Sequence, residues 1–174
     1  IDFPDKNFYY VDIASIDSEG KQIVNYNKLI GKEAPSRARQ QIKKKDVLIS
    51  TVRPNLNAIA LVPANLDNQI CSTGFCILRA DNKNFTSEYL FYISQKDSFV
   101  NSLIQKCKGA NYPAVSNKDI KSIKIPLPTI ELQNKFASIV KHVEKIKEKQ
   151  KNSKENIDEM FNALMQKAFN GEIV

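Results

Sequence analysis

Ile125-Pro126-Leu127-Pro128-Thr129-Ile130-Glu131-Leu132-Gln133 separates two kinds of sequence. Each proline removes a backbone donor and pushes the residue before it out of helical geometry, so no helix runs through 125–128 and a new one can begin at Thr129. Glu131 in the first turn suits the helix dipole, although Thr129 followed by Leu132 is only half of a capping box. Before the prolines the chain reads as strand-rich and basic; after them it carries apolar residues at helical spacing. The division predicts a globular domain over residues 1–128 and a helical region over 129–174.

Alternating steps of four and three from Leu132 reach Phe136, Ile139, Val143, Ile146, Gln150, Ser153, Ile157, Met160, Leu164 and Lys167, and eight of these eleven positions are apolar. That is coiled-coil spacing, with Leu132, Phe136, Ile139, Val143, Ile146, Ile157, Met160 and Leu164 as the seam; the alternative is ordinary packing of one helix face on its own domain. A continuous helix over 132–168 would be about 55 Å long and could hold two modules at a fixed distance. Its weak stretch is Gln150-Lys151-Asn152-Ser153-Lys154-Glu155-Asn156, where poor helix formers surround two polar seam positions. A loop between two shorter helices is the alternative there; the reading taken is the unbroken helix.

The chain has 174 residues, 42% of them hydrophobic, enough for one ordinary domain with an appendage. No apolar run approaches the roughly 20 residues of a membrane span and no signal-peptide pattern opens the chain, so no membrane association is expected and the cytoplasm is the expected location. Cys71, Cys76 and Cys107 are odd in number and lack metal or redox spacing, which reads as reduced, mostly buried thiols. The first residue is Ile1; the expectation is a piece of a longer protein. Residues 131–174 hold eight lysines against seven acids, so six of the seven net positive charges fall in residues 1–130. Arg37, Arg39, Lys43, Lys44, Lys45 and Arg53 crowd together there with only Asp46 among them. Such density suits phosphate contact and electrostatic steering; a solvated face is the plain alternative.

Strands are expected at 8–13, 22–26, 47–52, 58–62 and 74–79, with a turn at Asp17-Ser18-Glu19-Gly20 and a final short strand over 120–125. Arg53-Pro54-Asn55-Leu56-Asn57 and residues 108–112 are expected loops. Thr86 or Ser87 can cap one helix and Asp97 or Ser98 a second. Helices and strands are segregated rather than alternating, which predicts an α+β fold: a globular mixed domain followed by a long C-terminal coiled-coil helix.

Catalytic constellations are sparse. His142 is the only histidine and lies off the helical seam, so neither a His-based triad nor a multi-histidine metal site can be assembled, and no glycine-rich phosphate loop or dinucleotide fingerprint is present. The expectation is a non-catalytic chain with no cofactor and no metal. Pro4-Asp5 with Glu19-Gly20-Lys21 has the residue types of a Mg²⁺-dependent nuclease, but so loose a pattern arises readily by chance, and Ser18 to Lys21 reads as a hairpin tip.

Binding chemistry remains. Arg37 and Arg39, two apart, could point to one side of an extended chain and suit bidentate contacts with guanine or phosphate. Arg53, Asn55 and Asn57 match purine edges. Gly109-Ala110-Asn111-Tyr112-Pro113 offers an amide and an aromatic flanked by Lys106 and Lys108. Each has a plainer reading as an ion pair, a turn residue or a packing group; together, on one basic domain, they point to nucleic acid.

Ala34-Pro35-Ser36-Arg37-Ala38-Arg39, Lys45-Asp46-Val47-Leu48-Ile49-Ser50-Thr51-Val52-Arg53-Pro54-Asn55, Ser72-Thr73-Gly74-Phe75, Gly109-Ala110-Asn111-Tyr112-Pro113-Ala114-Val115, Ile125-Pro126-Leu127-Pro128, Glu131-Leu132-Gln133 and the ending Leu164-Met165-Gln166-Lys167-Ala168-Phe169-Asn170-Gly171-Glu172 together resemble the specificity subunits of type I restriction-modification systems. The resemblance implies a target recognition domain that reads half of a split double-stranded DNA sequence. It also implies helices that set spacing and dock methyltransferase subunits, with a restriction subunit as a further partner. Such subunits typically carry two recognition domains and two helical regions; this chain has one of each, which implies a half subunit, or the C-terminal half of a longer one, able to pair with a second half or with a copy of itself. The DNA contacts expected on this basis are Arg37, Arg39, Lys43, Lys44, Lys45, Thr51, Arg53, Asn55, Asn57, Lys108, Asn111 and Tyr112. The rival expectation is a basic-headed coiled-coil scaffold indifferent to DNA sequence.

Overall fold

A computed structural model describes residues 5–109 and 113–171. The chain divides into two compact units, Ile1–Gln133 and Asn134–Val174.

The first unit is built around β6 (Val47–Ser50), whose Val-Leu-Ile-Ser is buried throughout. It is the centre of a three-stranded antiparallel sheet, flanked by β7 (Ile59–Leu61) and β9 (Phe75–Leu78), with Leu48 opposite Ala60 and Ile77. Successive side chains leave opposite faces of a strand, and here both faces are covered. Leu48, Ala60 and Phe75 join Val11, Ile42 and Cys71 in one core. Val47, Ile49, Ile59 and Cys76 join Leu90, Phe91, Phe99 and Leu103 in the other. Two apolar faces explain why β6 reads as an unbroken apolar run rather than an alternation. Each buried aliphatic side chain contributes about 1.5–3 kcal/mol relative to exposure.

The first core is closed by a four-stranded mixed sheet in the order β4 (Asn27–Ile30), β1 (Asn7–Val11), β8 (Ile70–Ser72), β5 (Ala38–Gln41), in which β1 runs parallel to β8 and the other pairs are antiparallel. The expected strand over 22–26 divides instead: β3 (Gln22–Ile23) pairs with β2 (Ile16–Asp17) in a small hairpin turned at 18–21, and the chain then re-enters the larger sheet as β4. The second core is closed by α1 (Ser87–Ser94) and α2 (Asp97–Gln105). Thr86 caps α1, its hydroxyl accepting from Tyr89 N at 3.2 Å; α2 starts after Lys96, which makes no side-chain cap, rather than after Asp97 or Ser98.

The final strand expected over 120–125 is replaced by α3 (Asn117–Lys121) and an irregular segment. Ser116 and Asp119 form a reciprocal capping box: Asp119 N donates to Ser116 Oγ at 3.1 Å and Ser116 N to Asp119 Oδ2 at 3.0 Å. Satisfying those amides outweighs the β preference of Ile120 and Ile123. Ile120 still reaches the core, now from a helix face.

After the two prolines the chain runs as a single helix, α4 (Ile130–Phe169), about 60 Å long at 1.5 Å per residue. Residues 150–156 stay helical, so the break considered there does not occur. Gly171, at φ 75, follows its end, the left-handed position that glycine adopts without penalty. The first turn is held by Gln133, which is fully buried. Its Oε1 accepts from Thr86 N at 2.8 Å, and its Nε2 donates to Asn84 O at 2.7 Å and Pro128 O at 3.0 Å. Leu132 just before it, and Ile139, Val143, Ile146, Ile157, Met160 and Leu164 beyond it, are exposed apolar groups along the helix, and Phe136 is 38% exposed.

Candidate nucleic-acid interface

Four of the segments singled out in sequence meet at one rim of the first unit. The link is main-chain hydrogen bonding at the end of β6. Thr51 N donates to Gly74 O at 2.9 Å, Thr73 N to Arg37 O at 2.9 Å, Arg53 N to Pro113 O at 2.8 Å and Val115 N to Thr51 O at 2.9 Å. Lys108 and Ala114 exchange both backbone bonds at 2.9 and 3.0 Å, which closes the 108–114 loop beside them. Gly109 takes φ 91 to make that closure. The turn before β5, the β8–β9 turn, the end of β6 and the 108–114 loop therefore form one edge. Asn111 and Tyr112 lie outside the described residues, as does Pro4.

Arg37, Arg53, Asn55 and Lys108 are exposed on these segments. Arg37 sits in the turn that ends with Ala38 N donating to Pro35 O. Arg39, also exposed, falls where the register between β5 and β8 shifts, so the simple alternation that would put it on the same side as Arg37 does not hold. Arg53 and Asn57 flank a short 3-10 turn, Pro54–Leu56, and both are left-handed, at φ 48 and 49. That region disfavours residues carrying a Cβ by about 1–2 kcal/mol, so the turn needs holding from outside.

Two expected contact residues are engaged inward. Thr51 Oγ1 donates to Gly74 O at 2.9 Å and so braces the β8–β9 turn. A Cβ on Gly74 would lie 2.7 Å from Ile13 Cδ1, so a side chain there would require Ile13 to shift. Asn57 is half-buried; its Nδ2 donates to Gln95 O at 3.2 Å, its main-chain carbonyl accepts from Lys21 Nζ at 2.6 Å, and its Oδ1 is buried with no hydrogen-bond partner among the described residues. Burial lowers the pKa of Lys21 and the nearby Asp17 opposes that shift. The Lys21 ammonium is engaged by Asn57 O, and Glu19 lies at the hairpin tip. Among the described residues no group of three or more His, Cys, Asp or Glu could hold a metal ion.

Lys43, Lys44 and Lys45 are exposed too, but they precede β6, whereas Thr51 follows it. Six residue steps of largely extended chain separate Lys45 from Thr51, about 20 Å. The basic cluster seen in sequence is thus split between the two ends of one strand. Asp46 does not oppose the three lysines: it is buried, accepting from Arg79 Nε at 2.7 Å and Nη2 at 2.6 Å and from Lys43 N at 2.8 Å. Lys45 pairs with Glu88 at 2.9 Å. Burial pushes the Glu88 carboxyl up, but Lys45 and a backbone hydrogen bond outweigh it and hold the group below its ordinary value.

Residues 6–158 match the family described as Type I restriction modification DNA specificity domain. The chain belongs to that family. It is 28% identical over 111 residues to the HindI specificity subunit of Haemophilus influenzae, a match that takes in 63% of this chain and 24% of that protein. Over 72 residues it is 39% identical to the MjaVIII specificity subunit of Methanocaldococcus jannaschii, covering 41% of this chain and 16% of that one. The crystal structure of the HsdS subunit from Thermoanaerobacter tengcongensis superposes with a TM-score of 0.75 and 43% identity, covering 83% of this chain and 38% of that one. A chain from a study of complex assembly and conformational transition of the type I R-M system gives 0.77 and 39%, covering 95% and 43%. This specificity-domain chain therefore spans less than half the length of each of these relatives. The α+β fold with a long C-terminal helix matches the corresponding part of the solved HsdS subunit and of the type I R-M system chain.

Sequence reasoning did not see three contacts of this specificity domain: Lys21 on Asn57 O and Gly74 O as an acceptor at the rim, and Gln133 at the start of α4. Gly74 and Gln133 lie in quoted motifs, so their segments were visible and their partners were not. Nothing near Lys21 in sequence signals a partner 36 residues away.

Proposed function

We propose that this chain is one DNA-reading unit of a type I specificity subunit, recognising half of a bipartite duplex target. The gathering of four separate segments on one rim, with Arg37, Arg53, Asn55 and Lys108 exposed on it, is the observation that carries this reading. In the major groove each base pair presents a distinct pattern of donors and acceptors; arginine and asparagine side chains match purine edges there, while lysines hold phosphates without reading sequence. Arg53 and Asn55 are assigned to bases. Arg37, Arg39 and Lys108 are assigned to bases or phosphates at the edges of the same footprint, together with Asn111 and Tyr112. Thr51 and Asn57 shape the surface from beneath. Lys43, Lys44 and Lys45 add long-range attraction for the polyanion from the other end of β6.

In this reading residues 1–128 read DNA and residues 129–174 organise the assembly. The seam from Leu132 to Leu164 pairs with a second helical region, in the same polypeptide or in another copy, and docks methyltransferase subunits, to which a restriction subunit can be added. The chain contributes recognition and spacing, without catalysis, metal or cofactor of its own, and works in the cytoplasm beside the DNA it reads. No helix among the described residues is long and apolar enough to cross a membrane, which accords with that location.

Selection from a random duplex pool with the full-length protein, assembled with a methyltransferase subunit, tests the reading. A short enriched half-site is the expected outcome. Binding that enriches no motif would instead identify a basic scaffold indifferent to sequence.

A further inference from the structure

The loop of residues 53–57 carries two left-handed residues and needs holding at both ends. At its first end Arg53 N donates to Pro113 O. At its last end Asn57 Nδ2 donates to Gln95 O at 3.2 Å, and a second, charged hold comes from a distant part of the chain: Lys21, at the tip of the β2–β3 hairpin, donates its ammonium to Asn57 O at 2.6 Å. Lys21 is itself left-handed, at φ 54, and half-buried, so the hairpin tip presents it at the cost of an uncommon backbone conformation. Next to it Gly20 leaves the space that the Asp17 carboxylate occupies, since a Cβ there would lie 2.5 Å from Asp17 Oδ2. Asp17 Oδ1 in turn accepts from Glu19 N at 2.9 Å, which fixes the tip. An ammonium on a carbonyl is a charge-assisted bond, stronger than one between neutral groups.

We propose that Lys21 is a positioning residue for sequence discrimination: from outside the rim, through Asn57 O, it fixes the 53–57 loop in the shape that presents Arg53 and Asn55. The inference rests on the rim being the DNA-reading surface. A loop that keeps only the weaker neutral bond to Gln95 O at its Asn57 end still offers the same charges to phosphates, but its base-edge donors are less firmly pre-set. Losing Lys21 therefore reduces the advantage of the target over random duplex while the general electrostatic attraction stays nearly the same.

The test uses the full-length protein in its assembled form, with the half-site first obtained by selection for the wild type. Lys21→Met is expected to lower the ratio of target to random-duplex affinity roughly fivefold or more, with an unchanged salt slope. Lys21→Arg, which keeps a charged donor, is expected to restore most of that ratio. Hydrogen exchange supplies an independent readout in the absence of DNA: the Leu56 and Asn57 amides, bonded within the turn to Arg53 O and Pro54 O, should exchange faster in Lys21→Met. An unaltered affinity ratio, or unaltered exchange at those two amides, overturns the proposal. So does an equal loss on both duplexes accompanied by a lower melting temperature, because that is what a purely structural lysine gives. A wild type that enriches no motif fails the underlying reading instead, so the two failures are distinguishable.

Discussion

Arg53 and Lys44 look alike in sequence, two basic residues nine apart, and the fold puts them in different places. Arg53 stands on a braced loop at the rim; Lys44 stands in the turn at the far end of β6, its amide held by Asp67 Oδ1 at 2.8 Å. Arg53→Ala is expected to weaken binding to the selected target by about 1–3 kcal/mol with little change on random duplex, whereas Lys44→Ala should weaken both alike and flatten the salt dependence. Titrations of the two variants at several salt concentrations decide between these patterns, and equal losses for Arg53→Ala would remove its base-reading role. At this scale the sequence revealed residue types but not their orientation. Thr51 and Asn57 have the chemistry of base contacts, yet the hydroxyl of one and the amide of the other satisfy backbone carbonyls of the fold. Those partners lie 23 and 38 residues away, beyond any local pattern.

Among the elements, those whose reasons are local were the legible ones. Strand β6 is apolar on both faces, α1 has its Thr86 cap, and the Pro126–Pro128 break precedes a helix with its own apolar spacing. Strands β4, β5 and β8 passed unnoticed because Asn-Lys-Leu-Ile, Ala-Arg-Gln-Gln and Ile-Cys-Ser carry little strand signal of their own and owe their conformation to pairing in the larger sheet. The 120–125 region was misjudged the other way, its isoleucines drawing attention from the Ser116–Asp119 box that starts α3. In α4 the polar stretch 150–156 remains helical, with Lys151 and Glu155 one turn apart at 3.9 Å. The seam before it exposes Ile139 and Val143 by 54% and 43%. Replacing both with Asp places two charges on an apolar contact and should abolish assembly while leaving the helix itself intact. Light scattering and far-UV circular dichroism check the two halves of that statement; an unchanged mass would reject the seam as an interface.

Over the whole molecule the response to acid follows from carboxylates held in their charged form. The Asp81 carboxylate accepts from Asn84 N at 2.9 Å and its side-chain amide at 2.6 Å, from Phe85 N at 3.2 Å and from Lys83 N at 3.1 Å, and these bonds hold its pKa well below the usual range. Asp119 is lowered by Ser116, with Lys108 and Lys106 adding to the effect. A depressed carboxyl stabilises the native state at any pH above the unfolded value of about 4, and that contribution is lost as pH falls through the folded value. The net charge of +7 grows as acids protonate, which adds self-repulsion in the same direction. The melting temperature should therefore be nearly flat from about pH 7 to 5 and decline below about pH 4, and Asp81→Asn should decline less steeply; thermal melts across that range check it. Gln133 bears on a different property, inheritance. Its three partners, Thr86 N, Asn84 O and Pro128 O, are all main-chain atoms. Bonds to the backbone alone do not depend on which side chains stand at 84 and 86, so substitutions there that keep the main chain in place can be inherited without unseating the glutamine.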